Sequence, residues 1–176
     1  MADRAETELE WDGPDMGLHE ECGVFGIYDP AGGCAQTTYY GLYALQHRGQ
    51  EACGIATIND REQSFYKDVG LVSEVFDKQT LQRLNGTMAV GHVRYATTGA
   101  RERENAQPLT IKYVKGTLAV VHNGNLVGVD QLRQKFEYQG AIFHTTSDSE
   151  LIAYAIAQAR LRCASVEEAV FQAASK

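Results

Sequence analysis

The sequence predicts an α+β fold with largely antiparallel sheets. Short β-rich runs come in pairs joined by turn residues, and helical patterns fall among the pairs rather than between every two strands. The chain is 176 residues long and 44% hydrophobic, enough for one domain with a real core.

The elements follow in chain order. Residues 22–28, "CGVFGIY", read as a first strand, with Val24, Phe25 and Ile27 as its apolar content. "TTYYGLYALQH" (37–47) reads as a helix with Tyr39, Leu42, Tyr43 and Gln46 on one face. "CGIATI" (53–58) and "SFYKDV" (64–69) read as strands joined through Asn59-Asp60. A short helix over 78–84 stops at Asn85-Gly86, and "TMAVGHVR" (87–94) is another strand. A long polar loop follows over 97–108. "TIKYV" and "TLAVVH" flank Lys115-Gly116 and predict a hairpin. A helix over about 130–138 ends at Gly140. Ser147 with Glu150, and Ser165 with Glu168, predict capping boxes opening two further helices. The last helix runs to Lys176 without a stop signal, so the domain is expected to continue past that residue.

Charge divides the chain unevenly. The formal net charge is -7, and residues 1–21 hold eight acids against one base, so they account for all of it. The composition changes near Gly17, and we read residues 1–21 as an acidic leader and 22–176 as the domain. The leader lacks the basic start and apolar centre of a signal peptide. No run approaches the ~20 apolar residues of a membrane span. The neutral body carries no basic stripe, which argues against nucleic acid. Cys22, Cys34, Cys53 and Cys163 contain no C-x-x-C pair, and the histidines show no metal spacing, so reduced thiols, a cytoplasmic setting and no metal are expected.

Cys22 stands at the seam between leader and domain. An ordinary thiol titrates at about 8.5, so a catalytic one needs a base. Cutting the chain between Glu21 and Cys22 would free an α-amino group with a pKa of about 8 on the same residue. An inert core cysteine is the plain alternative. Arg94, at a strand end, is either a surface ion-pair partner or a planar fork for a substrate carboxylate. Asn123-Gly124 is either a hairpin turn or a pair of donors aimed at one oxygen. Asp148, in a helix first turn, either complements the macrodipole or binds an ammonium group. Arg48 and Gly49 after a helix read as its cap, or as a cation that favours a nearby thiolate. His122 beside Asn123 is the one candidate for a thiol–histidine arrangement, and a satisfied strand-end histidine is the alternative.

Six stretches in order, "ECGVFGIYD", "LQHRGQEACGIA", "GHVRYATTG", "ENAQPL", "HNGNL" and "TTSDSEL", resemble the N-terminal glutaminase domain of the amidophosphoribosyltransferase family, class II glutamine amidotransferases among the N-terminal nucleophile hydrolases. They span residues 21–151. The resemblance implies a four-layer α/β/β/α sandwich of two mainly antiparallel sheets, here C-terminally truncated. It implies Cys22 as nucleophile, Asn123 and Gly124 as oxyanion hole, and Arg94 and Asp148 as contacts to the glutamine α-carboxylate and α-amino groups. Tyr95 and Thr97 lie in a loop, Tyr95 to about Glu104, similar to the one that closes over glutamine. Arg48 and Gly49 match a supporting stretch near the nucleophile. Cys53 stands where the family commonly has a small residue, and a spare thiol there is expected to be harmless.

The implied reaction is glutamine hydrolysis, with ammonia passed to phosphoribosyl pyrophosphate to give 5-phosphoribosylamine in purine synthesis. The phosphoribosyltransferase domain would follow in the same chain, and the full-length protein would be a homo-oligomer. Mg2+ with phosphoribosyl pyrophosphate, and in some members a 4Fe-4S cluster, would bind outside these residues, so no cofactor is expected within them. The leader-bearing form is expected to be inactive, and this stretch by itself poorly stable. The alternatives are the glutaminase domain of a glucosamine-6-phosphate synthase, and a non-catalytic binding module that keeps its leader.

Overall fold

The computed structural model describes residues 22–60, 62–95 and 103–175. Its first sheet is antiparallel in the order β1-β4-β2-β3, from β1 (Gly23–Tyr28), β2 (Ala52–Asn59), β3 (Glu62–Val69) and β4 (Met88–Arg94). Its second is the hairpin of β5 (Leu109–Tyr113) and β6 (Gly116–Val120). The fold is α+β, as the patterning predicts.

Alternation along the strands assigns the faces of the first sheet. Cys53, Ile55 and Val93 point to the side where α1 (Cys34–Ala44) lies, and with Leu42 they form the larger core cluster. Leu42, Ile55 and Val93 are fully buried, each worth roughly 1.5–3 kcal/mol relative to exposure. Two glycines let α1 settle on the sheet. A Cβ at Gly91 would stand 2.6 Å from Thr38 Cγ2, and one at Gly41 would stand 2.4 Å from the Phe25 ring.

The opposite face of the first sheet receives the second half of the molecule. A Cβ at Gly54 would lie 2.2 Å from the Gln107 carbonyl oxygen and 2.9 Å from Pro108. β2 is therefore covered on both sides and reads as an unbroken buried run from Ala52 to Thr57. α5 (Asp148–Arg160) packs on β5 and β6, completing a helix, sheet, sheet, helix order. α4 (Val129–Tyr138) closes over α5 through Phe136, Phe143 and Tyr154. α6 (Val166–Ala174) buries Ala169 against Ala159 and Cys163.

Several local expectations need correction. α1 starts at Cys34 rather than Thr37, released by left-handed Gly32 and Gly33. Its buried face is Cys34, Ala35, Thr38 and Leu42, while Tyr43 is 57% exposed. The hairpin turns at Val114-Lys115, and Gly116 already opens β6. Two short elements escape the patterning: α2 (Val72–Val75), whose Leu71 N–H donates to Glu74, and a 3-10 turn over Arg103–Asn105 inside the polar loop. α3 (Lys78–Arg83) is capped by Asp77, which accepts from the Thr80 N–H at 2.7 Å. Ser147 and Ser165 do cap α5 and α6, but neither box is reciprocal. Glu150 turns to the main-chain N–H groups of His144 and Thr145, and Glu168 to that of Ala164.

Candidate active site

Cys22 lies half-buried just before β1. The antiparallel register brings the end of β4 beside it, since Gly23 pairs with Val93. The Tyr95 N–H donates to the Cys22 sulfur at 3.3 Å, and the thiol in turn reaches the Tyr95 carbonyl at 3.7 Å. The residue's own carbonyl is held twice. Asn123 Nδ2 donates to it at 2.7 Å across 101 positions of sequence, and Arg48 Nε at 3.3 Å. The Asn123 amide and the Arg48 guanidinium therefore meet on the main chain of the residue that carries the thiol.

Arg48 reaches this point from the 3-10 turn Gln46–Arg48 that follows α1. It holds the main-chain carbonyl of Cys22. Gly49 is not a left-handed helix cap, because its φ is -160° and its backbone extended. Its requirement is steric: a Cβ there would stand 2.7 Å from the backbone of Val93 and Arg94. Gln46 fixes the same turn, donating to the Gly49 carbonyl and accepting from the Val72 N–H at 2.6 Å.

Arg94 ends β4 with one arm on Glu51, 2.8 Å from Nη1 to Oε1, the two side chains 21% and 8% exposed. The ion-pair reading of Arg94 therefore holds, and it leaves the rest of the fork for a second carboxylate. Glu51 escaped the sequence analysis. Its own Oε2 is buried without a partner among the described residues, so Arg94 is its sole counter-charge there.

Asn123-Gly124 does not turn a hairpin. β6 ends at Val120, and the next element among the described residues is α4. Gly124 takes a φ of +152°, which favours glycine, and a Cβ on it would come within 3.0 Å of His122 Nε2. Asp148 occupies the first turn of α5, as the macrodipole reading predicts, and also accepts the Leu126 N–H at 2.8 Å. His122 Nδ1 lies 3.1 Å from Ser149 Oγ and 3.8 Å from Asp148 Oδ1. The hydrogen bonds of the Cys22 sulfur among the described residues go instead to the Tyr95 main chain, which leaves the thiol–histidine reading without support. Thr97, most of the loop to Glu104, and the leader lie outside the described residues.

The other thiols sit in packed surroundings. Cys34, Cys53 and Cys163 are buried, and burial, reinforced by Asp68 and Glu74, pushes the Cys53 thiol up to about 12. Cys53 therefore stays protonated and unreactive. Among the described residues no group of three or more His, Cys, Asp or Glu side chains could hold a metal ion.

A family model described as a glutamine amidotransferase domain matches residues 76–173, more than half the chain, and the chain belongs to that family. It is similar to the amidophosphoribosyltransferase of Synechocystis sp., 52% identical over 86% of this chain and 32% of the relative. The enzyme of that name from Methanocaldococcus jannaschii is 47% identical over 85% and 32%. Among solved structures, one described as the allosteric regulatory enzyme of purine biosynthesis superposes with a TM-score of 0.78 at 42% identity, over 86% of this chain and 32% of that one. A glutamine phosphoribosylpyrophosphate amidotransferase from B. subtilis, complexed with ADP and GMP, gives 0.72 at 40%, over 88% and 32%. The chain thus spans about a third of the length of the relatives it matches.

Proposed function

We propose that the protein containing this chain hydrolyses glutamine at Cys22 and passes the ammonia to phosphoribosyl pyrophosphate, giving 5-phosphoribosylamine for purine synthesis. The observation that carries the reading is the meeting of Cys22 with the Asn123 side-chain amide at 2.7 Å. An amide nitrogen has two hydrogens. One goes to the Cys22 carbonyl and the other serves the oxyanion.

The domain begins at Cys22 and includes residues 22–176, and residues 1–21 are a leader removed at Glu21–Cys22. Removal frees an α-amine with an ordinary pKa of about 8, close enough to neutrality to exchange a proton. The thiol proton passes to that amine, and the thiolate attacks the side-chain amide carbon of glutamine. The tetrahedral oxyanion lies between Asn123 Nδ2 and the Gly124 N–H. The amine returns its proton to the departing nitrogen, and ammonia leaves. Water then cleaves the γ-glutamyl thioester, giving glutamate and the free thiol. Arg94 takes the α-carboxylate of glutamine, Asp148 the α-ammonium group, and Tyr95 and Thr97 line the approach.

The remainder of the protein supplies the phosphoribosyltransferase domain, with Mg2+ on its phosphoribosyl pyrophosphate. The whole assembles as a homo-oligomer in the cytoplasm. Among the described residues no helix is long and apolar enough to cross a membrane.

The test uses purified full-length protein. Intact mass should begin at Cys22, and glutamine should yield glutamate. Cys22→Ala should lower that rate by about 10⁴-fold or more, to background. An active preparation whose mass begins at Met1 would overturn the mechanism.

A further inference from the structure

The open groove between α1 and α3, lined by Tyr39, Phe76 and Leu81, has nothing in the structure to name its occupant. The exposed Val170 and Phe171 on α6 share that deficiency. The buried polar contacts around Gln107 reach further.

Gln107 is 6% exposed and precedes β5. The β5–β6 register pairs Leu109 with Val120. Two residues outward on each strand, that register sets Gln107 opposite His122. Between them the ladder has stopped, and Pro108 has no N–H to extend it. The Gln107 side chain takes the ladder's place. Its Oε1 accepts the His122 N–H at 2.7 Å, and its Nε2 donates to the His122 carbonyl at 3.2 Å. Nε2 also donates to Ser149 Oγ at 3.3 Å, which ties the start of α5 to the same point. The Gln107 main chain is itself wedged against Gly54 of the nucleophile's sheet. One residue thus connects β2, the end of β6 and α5, one peptide away from Asn123.

We propose that Gln107 is a positioning residue for the oxyanion-binding turn: by pairing with both main-chain groups of His122 it sets where Asn123 and Gly124 present their hydrogens. The proposal rests on the glutaminase reading above. A side chain that both accepts and donates at this reach is an amide. Glutamate keeps the shape but, once ionised, faces the His122 carbonyl with a second acceptor. Methionine keeps the volume and loses both bonds. A shift of the turn by a fraction of an ångström lengthens the oxyanion hydrogen bonds while leaving the thiol in place.

The experiment compares full-length wild type with Gln107→Met and Gln107→Glu. It measures kcat and KM for glutamine hydrolysis, and the rate at which iodoacetamide alkylates Cys22. Alkylation displaces iodide and forms no oxyanion, so it reports the thiol alone. Both variants should lose about 10- to 100-fold in kcat, with KM and alkylation within about twofold of wild type. The activity of Gln107→Glu should climb back toward wild type as pH falls and its carboxyl, protonated, donates again. Unchanged kcat in a folded variant would overturn the proposal. So would a loss of alkylation matching the loss of kcat, or a Gln107→Glu profile parallel to wild type at every pH. Should Gln107→Met fail to fold, the pH profile of Gln107→Glu still decides. A wild type that is alkylated at Cys22 yet releases no glutamate would instead overturn the glutaminase reading itself.

Discussion

Cys22 enters the first sheet among glycines and apolar side chains, whereas Asn123 stands beyond the end of the second among polar ones. Around the first, Gly23, Gly41, Gly49 and Gly91 permit contacts that a single added carbon would close, and Leu42, Ile55 and Val93 fill the space behind. Around the second, Gln107, His122, Asp148 and Ser149 hold one another by directed hydrogen bonds. The two halves solve different problems. Close packing fixes where a sulfur sits and is indifferent to direction. Hydrogen-bond donors must be aimed as well as placed, and only directional partners aim them.

The largest expected effect tests the contact that joins the halves. Asn123→Ala removes the proposed oxyanion donor and one of the two grips on the Cys22 carbonyl, and should lower kcat for glutamine by about 10²–10³-fold. Steady-state glutamate release checks it. A loss confined to KM would mean that Asn123 binds substrate and does not serve the oxyanion.

Next comes acid. His92 lies on β4 facing the second half, fully buried, with neither ring nitrogen in a well-formed hydrogen bond among the described residues. Burial pushes its imidazole down to about 4, with charge repulsion from Arg94 and His122 adding to that and the His122 main chain opposing it. Above pH ~6.5 the ring is neutral folded and unfolded, and contributes no pH dependence. Between ~6.5 and about 4 the unfolded chain takes up a proton that the native one refuses, so stability falls as pH falls. The loss should approach roughly 3 kcal/mol near pH 4. Denaturant titrations across that range check it, and His92→Leu should flatten the dependence.

The smallest effect concerns the seam between the sheets. Gly54→Ala pushes a carbon into the Gln107 carbonyl and Pro108. Backbone there has little room to yield, so overpacking should cost about 2 kcal/mol and lower the midpoint of thermal unfolding by about 5 °C. Because Gln107 would move, kcat should drop with it. Lost stability at full kcat would separate the seam from the oxyanion turn.

Much of this was legible in the sequence. All six strands announce themselves as short β-rich runs between turn residues, and Cys22, Asn123 and Gly124 stand out by residue type and setting. What escaped depends on long-range contact. Tyr39, Leu42, Tyr43 and Gln46 make a good helical stripe, yet α1 buries its small face because Gly91 admits Thr38 and Leu42 there. Glu51 looks like any exposed acid until β2 sets it beside Arg94. Gln107 appears as one polar residue in a polar loop, and only the β5–β6 register reveals what it faces. The signal available was the glutamine before Pro108, two residues ahead of a strand, where a ladder must stop.

The double hold on the Cys22 carbonyl has a mechanical corollary. With the amide plane on that side pinned by Arg48 and Asn123, the sulfur moves only by rotation about Cα–C and Cα–Cβ. Both pins act on the far side of Cα from the nitrogen. The proposed scission at that nitrogen would therefore add an ionisable amine while leaving both pins in place.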